Sequence, residues 1–543
     1  VKARIGRLTV LVFLPIWLAT GCSSFFGDVF DGSGNKQVLN LVEKAEPINL
    51  DTAKLIDDSS VKIVTNVMEG LMRLDKDNRP VPGMAADFPK VSADKKTYTF
   101  QLRDAKWSDG KPVTAYDFEY AWKRALNPET KSAYAFILYP IQGAEEYHTG
   151  KGSAEEVGVK VLDEKTLQVR LKEPIPYFLG LTSFITYSPQ RKDIVEKYGD
   201  QYAEDADKMV YNGPFVLSEW EHQHSYRFVK NKNYWDRDHV FLDEVNVRIV
   251  PDSEEAMSMY VSNRTDVVML NNDLIEAFKD SKEFVTADSG TIYFLRFNTD
   301  FSIFRNQKIR QAFSLAVERE ELVAKGLIDD IPAGGMVPPL VMGYEGYFRD
   351  HAEEYVDHDP EKAKSLLREG MEELDIDTLP AIELLVYDDD RKRIALVLKE
   401  QLQKNLGAEI RIHPLPQKQK FEVEEQGKFH LSFVRWTGDY NDPMTFLEMW
   451  HSQNALNFGG WSNKRYDQLI DRSRENTDYR KRERDLIEAE KILVEEAGAA
   501  PLYYEKEAYL QKTYVKNLVR HPVGAKYTLK WVRIDENLKN GER

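Results

Sequence analysis

Short segments in which apolar and polar positions alternate recur along the chain. Tyr98, Phe100 and Leu102 alternate with polar neighbours, and so do Leu167, Val169 and Leu171. A side-chain period of two predicts half-buried strands at both places. Elsewhere the spacing lengthens. Ile309, Ala312, Phe313, Ala316 and Val317 return every three or four positions, which puts one apolar face on a helix. Asp359-Pro360 predicts another helix start, with aspartate as N-cap and proline in the first turn, and Gly370 predicts its end. Proline and glycine punctuate the chain at Pro80 to Gly83, at Asn212-Gly213-Pro214 and across Pro332 to Pro339. There is no repeat period and no low-complexity block. The pattern implies an α/β or α+β body of several lobes.

Length and composition sharpen this picture. At roughly 150 residues per domain, 543 residues suggest three or four units or one large body. Aromatic residues make up 11% of the chain, too many for a disordered polymer. The formal charge of −16 disfavours nucleic acid as a partner, because a phosphate backbone wants a basic surface. A single cysteine excludes a disulfide framework, a CxxC zinc site and an Fe–S cluster.

That cysteine is informative by its position. Lys2, Arg4 and Arg7 form a basic start, Leu8 to Ala19 is apolar apart from Thr9 and Pro15, and Leu18-Ala19-Thr20-Gly21-Cys22 follows. This is the layout of an export signal with small residues before the cleavage point, and the segment is too short for a stable membrane span. It resembles a bacterial lipoprotein lipobox, which implies a signal peptide over 1–21 and acylation of Cys22; Ala19 stands where the commoner pattern has leucine. The expected location is therefore the outer face of the cytoplasmic membrane. Removing 1–21 deletes three bases and takes the charge to −19, unlike a polybasic membrane binder. Residues 22–37 read as a tether rich in Gly, Ser and Asp.

Several segments then converge on one family. Leu102-Arg103, the Trp107 to Gly110 turn and Thr114-Ala115-Tyr116-Asp117 at a helix start resemble the signature of the extracellular solute-binding proteins of peptide ABC transporters (family 5). Asp109-Gly110 is a turn pair, and Thr114 or Asp117 can cap the helix. Asn212-Gly213-Pro214-Phe215, Tyr293 to Asn298 with Phe304 to Arg310, Gly438-Asp439-Tyr440-Asn441-Asp442-Pro443 and His521-Pro522-Val523-Gly524 are similar to further segments of that family. The resemblance covers roughly 38–540. It implies a two-lobed, three-domain α/β fold of the periplasmic-binding-protein type (class II-like), with a hinged cleft. Domain I would take 38–67, 193–289 and 507–543, domain II 68–192, and domain III 290–506.

The resemblance also implies the ligand and its contacts. An extended peptide would lie in the interlobe cleft, its ammonium on the aspartate matched by Asp439. A carboxylate there can capture the one positive charge that every free N-terminus carries. Asp439 could also be a turn acid, but Asp442 before Pro443 already fits the N-cap role. The peptide backbone would add as a strand between two edges, one near Asp57, Asp58 and Ser59, the other Val434 to Gly438. Asn271 and Asn272 match asparagines that bond ligand backbone, or else form a turn. Tyr293, Trp436 and Tyr134 match aromatic positions lining the cleft, or else pack in the core. Arg391 falls where a partner for the ligand C-terminus can sit, or is a solvated charge at a helix end. The sequence departs from the family at Gln417, Glu424-Glu425 and Phe433. Acids at 57, 58, 424 and 425 suggest a preference for basic peptides.

The expected role is thus the substrate-binding component of an oligopeptide importer. It would be a monomer without cofactor or catalysis, working with a membrane permease. A selective binder of murein or signalling peptides is the alternative within the family. An exported acidic hydrolase and a surface chaperone are rivals outside it. No G-x-S-x-G elbow, H-E-x-x-H helix or P-loop is present. His222-Gln223-His224 lacks a third metal ligand and reads as a solvent-facing strand.

Overall fold

The computed structural model describes residues 36–541, apart from 56, 327–329, 390 and 525. The signal segment, the first fourteen residues of the 22–37 tether and Cys22 therefore lie outside the described residues.

The alternating segments pair as their pattern requires. Thr97–Gln101 and Thr166–Arg170 are antiparallel strands, with Tyr98 opposite Val169 and Phe100 opposite Leu167. With Lys90–Val91 and Val159–Asp163 they complete a four-stranded sheet. The helix Ala115–Leu126 follows; Thr114 and Asp117 together form its capping box. The carboxylate of Asp117 accepts from the Thr114 N–H at 2.8 Å, satisfying an otherwise orphaned donor.

A larger sheet of eleven strands runs through the rest of the chain. Its spatial order is Ile410–Leu415, Ile382–Tyr387, Leu431–Thr437, Phe284–Phe297, Ala499–Gln511, Val267–Met269, Val38–Glu43, Glu244–Ile249, Ser225–Lys230 and Phe215–Glu221, with Ile331–Pro332 pairing beside Ala499–Gln511. Two strands hold this sheet together. Phe284–Phe297 and Ala499–Gln511 are 14 and 13 residues long and pair antiparallel at both ends, with a register break between Asp288 and Ile292. Gly290 sits inside that break at φ 63°, and a Cβ there would lie 2.1 Å from the Pro522 carbonyl oxygen, so only glycine fits.

Burial divides along the same line. One core joins buried residues from Leu39 to Val267 with Val515 to Ile534, and includes Trp107, Trp122 and Phe178. Two others are built wholly from residues between Ile292 and Tyr504. The expected helix face is there: Ile309, Ala312, Phe313, Ala316 and Val317 are all fully buried around Gln307–Leu315.

One helix boundary differs from expectation. Asp359 caps the helix at Pro360 as its sequence predicts, but the helix runs to Glu373, past Gly370. Gly370 is a packing residue. A Cβ there would lie 2.6 Å from Ile309 Cγ1 and 2.8 Å from Asn306 Oδ1, so its absence lets Gln307–Leu315 approach.

Candidate functional site

The strand Leu431–Thr437 forms one wall of a cleft. On one side it pairs along its whole length with Phe284–Phe297. On the other it pairs with Ile382–Tyr387 only at Leu431 and Ser432. From Phe433 onward that edge has no strand partner among the described residues, and from Arg435 to Thr437 it is half-buried, which makes this stretch a candidate edge for an extended ligand. Beyond the strand end lies a cavity of about 170 Å³, lined by Asp57, Asp58, Tyr134, Arg435, Gly438 and Asp439, among others. Residues from the first helix Asp58–Val67, from the Tyr134 turn and from the strand end therefore face one space.

Asp439 is the unusual group in this space. Its backbone N–H donates to Thr445 Oγ1 at 3.1 Å, which fixes the residue. Its carboxylate has no ion pair or hydrogen bond among the described residues. Burial, with the neighbouring Glu448 adding to it, pushes the carboxyl up to about 6. The neighbouring acid behaves differently. Asp442 accepts from the Met444 N–H at 2.9 Å and pairs with Arg482 at 2.8 and 3.0 Å. Tyr440 stacks on Tyr177 at 4.6 Å and donates to Glu448 at 2.8 Å. The run Asp439 to Asp442 thus holds one acid fixed without a counter-charge while its neighbours are fully engaged.

Other predicted residues fall into two groups. Asp58, Tyr134 and Gly438 share the cavity with Asp439. Burial raises the Tyr134 hydroxyl, and Asp439 and Asp58 add to the shift, which places both acids near it. A Cβ at Gly438 would lie 2.7 Å from Phe446 Cζ, so glycine lets the strand end close onto that ring. Val434 contributes backbone to the wall while its side chain is buried in a core. Tyr293 is buried, stacked on Tyr503 at 4.6 Å, and donates to Glu505 at 3.0 Å. The half-buried Trp436 donates from Nε1 to the Thr445 carbonyl at 2.9 Å. Asn271 caps the helix Asn272–Phe278, accepting from Leu274 N–H. Asn272 opens that helix; its side chain lies outside the described part of the structure. None of Val434, Tyr293, Trp436, Asn271 or Arg391 lines the Asp439 cavity.

Arg391 is engaged locally. Its guanidinium pairs with Asp389 through Nε and Nη2, and it lies over the Tyr387 ring at 3.8 Å. The acidic character attributed to 424 needs correction. Glu424 is buried and accepts from Lys420 at 3.0 Å and Ser432 at 2.6 Å, with Arg296 at 3.6 Å. It neutralises buried bases, so it offers no negative field to a ligand, and Asp57 is a helix cap bonded to Ser60 at 2.9 Å. Away from the cleft, His222 lies between Glu46 at 2.7 Å and Asp205 at 3.1 Å.

Residues that sequence reasoning passed over complete the site. Arg435 and Lys526 line the cavity as its two cations. Thr445 fixes both Asp439 and Trp436. Asn441 joins two regions of the chain, donating to the Asn78 carbonyl at 3.0 Å and accepting from the Met342 N–H at 2.9 Å. Arg435 was open to detection, because it shares the alternation of Thr437 and Asp439.

Residues 79–458 match the bacterial extracellular solute-binding proteins, family 5 (middle region). A dipeptide-binding protein of Bacillus subtilis, DppE, is 38% identical over 503 residues, covering 92% of each chain. The oligopeptide-binding protein OppA of the same organism is 33% identical and covers 97% of this chain and 98% of its own. Among solved structures, Listeria monocytogenes OppA bound to peptide superposes with a TM-score of 0.74 at 33% identity, covering 92% of this chain and all of that one. The fold is accordingly the two-lobed α/β type, and the relatives are binding proteins. On sequence and fold together, the chain belongs to the bacterial extracellular solute-binding proteins of family 5.

Proposed function

We propose that this protein is the peptide-binding component of an ABC importer, capturing extended peptides in the cleft at Asp439 and handing them to a membrane permease. The observation that carries the reading is the uncompensated carboxylate. A half-buried acid without a cation is unfavourable in the empty protein, and a ligand ammonium relieves it. The edge from Arg435 to Thr437 would supply main-chain hydrogen bonds that do not depend on ligand sequence. Peptide specificity in the relatives' names agrees with this reading. Capture is a population shift, since a ligand that touches both walls stabilises the closed arrangement. Domain I (38–67, 193–289, 507–543), domain II (68–192) and domain III (290–506) would move about the two long strands. Acylation of Cys22 would hold a monomer at the outer face of the cell membrane.

The test is direct. Freshly purified protein is denatured and the released small molecules are identified by mass spectrometry. The stripped protein is then titrated with a short peptide and with its N-acetylated form. Intact released peptides and at least a tenfold preference for the free amine are expected. Equal binding of both forms, or cleaved products, would remove the proposal.

A further inference from the structure

The turn that carries Asp439 is gripped at two points by one residue. Thr445 lies on the short helix Met444–Leu447 and is buried. Its hydroxyl oxygen accepts the Asp439 N–H at 3.1 Å, and its carbonyl accepts from Trp436 Nε1 at 2.9 Å. One grip falls inside the strand Leu431–Thr437 and the other two residues past its end. Gly438, between them, lies against the ring of Phe446, the next residue of the same helix. That helix is itself anchored. Asp442 accepts the Met444 N–H at 2.9 Å, and buried Arg482 holds both oxygens of its carboxylate, at 2.8 and 3.0 Å. Arg482 Nε in turn donates to the Ser473 carbonyl at 3.0 Å. A line of fixed groups thus runs from Arg482 through Asp442 and Thr445 to the Asp439 backbone.

Resting on the peptide-binding role, we propose that Thr445 is a positioning residue for the ammonium site: its hydroxyl oxygen fixes where the Asp439 carboxylate stands, and the preference for a free N-terminus depends on it. The reason is geometric. The Asp439 carboxylate has no hydrogen-bond partner among the described residues, so its place is set through its own backbone. That backbone N–H has no acceptor other than Thr445 Oγ1 among the described residues. Without the oxygen, a part-buried donor is left unpaired, and the turn shifts to find another acceptor. A charge-assisted hydrogen bond weakens steeply once donor and acceptor are out of line. The two grips are also separable. Trp436 uses the carbonyl, which any residue at 445 supplies, whereas Asp439 uses the side chain. Thr445→Val therefore removes only the grip on Asp439, and Thr445→Ser keeps both.

Calorimetric titration of the full chain with trialanine and with N-acetyl-trialanine tests this, at several pH values between 4.5 and 7.5. The wild-type protein should prefer the free amine by about tenfold or more at pH 7.5. In Thr445→Val the preference should fall below about threefold, while the acetylated peptide binds within about twofold of its wild-type affinity, which also shows that the variant is folded. The fall in free-amine affinity toward low pH should flatten in the same variant, because the ionised carboxylate no longer meets the ammonium. Thr445→Ser should restore both the preference and the pH dependence. Thr445→Ala also lacks the oxygen and is smaller, so it should match the valine variant and decides the question if valine does not fit. A preference or a pH profile that survives removal of the oxygen overturns the assignment. So does an equal loss of affinity for both peptides, which would make Thr445 a support of the cleft as a whole. Failure of the broader role reads differently: the wild-type protein binds neither peptide, or binds both alike.

Discussion

At Asp439, burial and isolation act on one carboxyl group, and their consequences for stability and for binding have opposite signs. Its folded-state value of about 6 lies above that of an exposed aspartate. The folded protein therefore holds this proton more tightly than the unfolded chain does. The associated stability is fully present below the unfolded value and is lost as pH rises through about 6. Binding runs the other way, because the ligand ammonium needs the ionised form. Peptide affinity is expected to fall as pH drops below about 6, in a one-proton transition seen by calorimetry between pH 4.5 and 7.5. Asp439→Asn should lower affinity for a free-amine peptide by roughly 10- to 100-fold, the loss of one charge-assisted contact. The same variant should melt higher than wild type at pH 7.5 when ligand-free, with the gain shrinking toward pH 5. A variant that weakens binding and also melts lower would show that the carboxylate has a structural role instead. Part of this was legible in the sequence: with Asp442 suited to the cap, Asp439 had no local task. Arg435 was legible only as a position, since alternation with Thr437 and Asp439 gives the face its side chain takes and not the cavity that this face lines.

Between elements, two kinds of close approach respond differently to substitution. Gly370 lies inside Pro360–Glu373 where that helix meets Gln307–Leu315. Gly370→Ala gains helix propensity of about 1 kcal/mol. It also forces a methyl to within 2.6 Å of Ile309 Cγ1. Overpacking of that kind costs about 1–3 kcal/mol, so a net loss in chemical denaturation is expected, and a net gain would show that the helices separate freely. Glu424 is the electrostatic counterpart. It serves Lys420 and Ser432 directly, beside Arg296, and burial lowers the Lys420 ammonium to about 8 despite that partner. Glu424→Ala leaves buried bases uncompensated and should destabilise by about 3–5 kcal/mol, measured by urea unfolding. Sequence reasoning found the elements because periodicity and capping are local. It misassigned Gly370 and Glu424 because each answers to a partner distant in the chain: a facing helix for the first, and Arg296 for the second, beside the nearer Lys420 and Ser432.

Across the whole molecule, the segment around Asn78 and Tyr177 meets the segment that follows Asp439. Tyr177 stacks on Tyr440 with an interplanar angle of 15°, and Asn441 donates to the Asn78 carbonyl. His521 Nδ1 lies 2.5 Å from Asn78 Oδ1, so a third segment joins the same point. Burial, with Arg73 nearby, lowers this imidazole to about 4, which keeps it neutral and able to donate to the amide oxygen at ordinary pH. Tyr177 and Asn78 line neither cavity that Asp439 lines, while Tyr440 lines one of them; all three belong to contacts that an opening motion would break. If ligand capture depends on closure, weakening these contacts lowers affinity through the closed-state population alone. Tyr177→Ala removes the stack, worth about 0.5–1.5 kcal/mol beyond simple burial, which corresponds to roughly a 2- to 13-fold loss in affinity. That loss should be the same for a free acid and its amide and for a free amine and its acetylated form, because no ligand charge is touched. Small-angle scattering of the ligand-free variant should show a larger radius of gyration than wild type, and saturating peptide should restore the wild-type value. A loss confined to one terminus of the peptide would place Tyr177 in the recognition of that terminus, and unchanged affinity with unchanged scattering would show that this contact does not hold the lobes together.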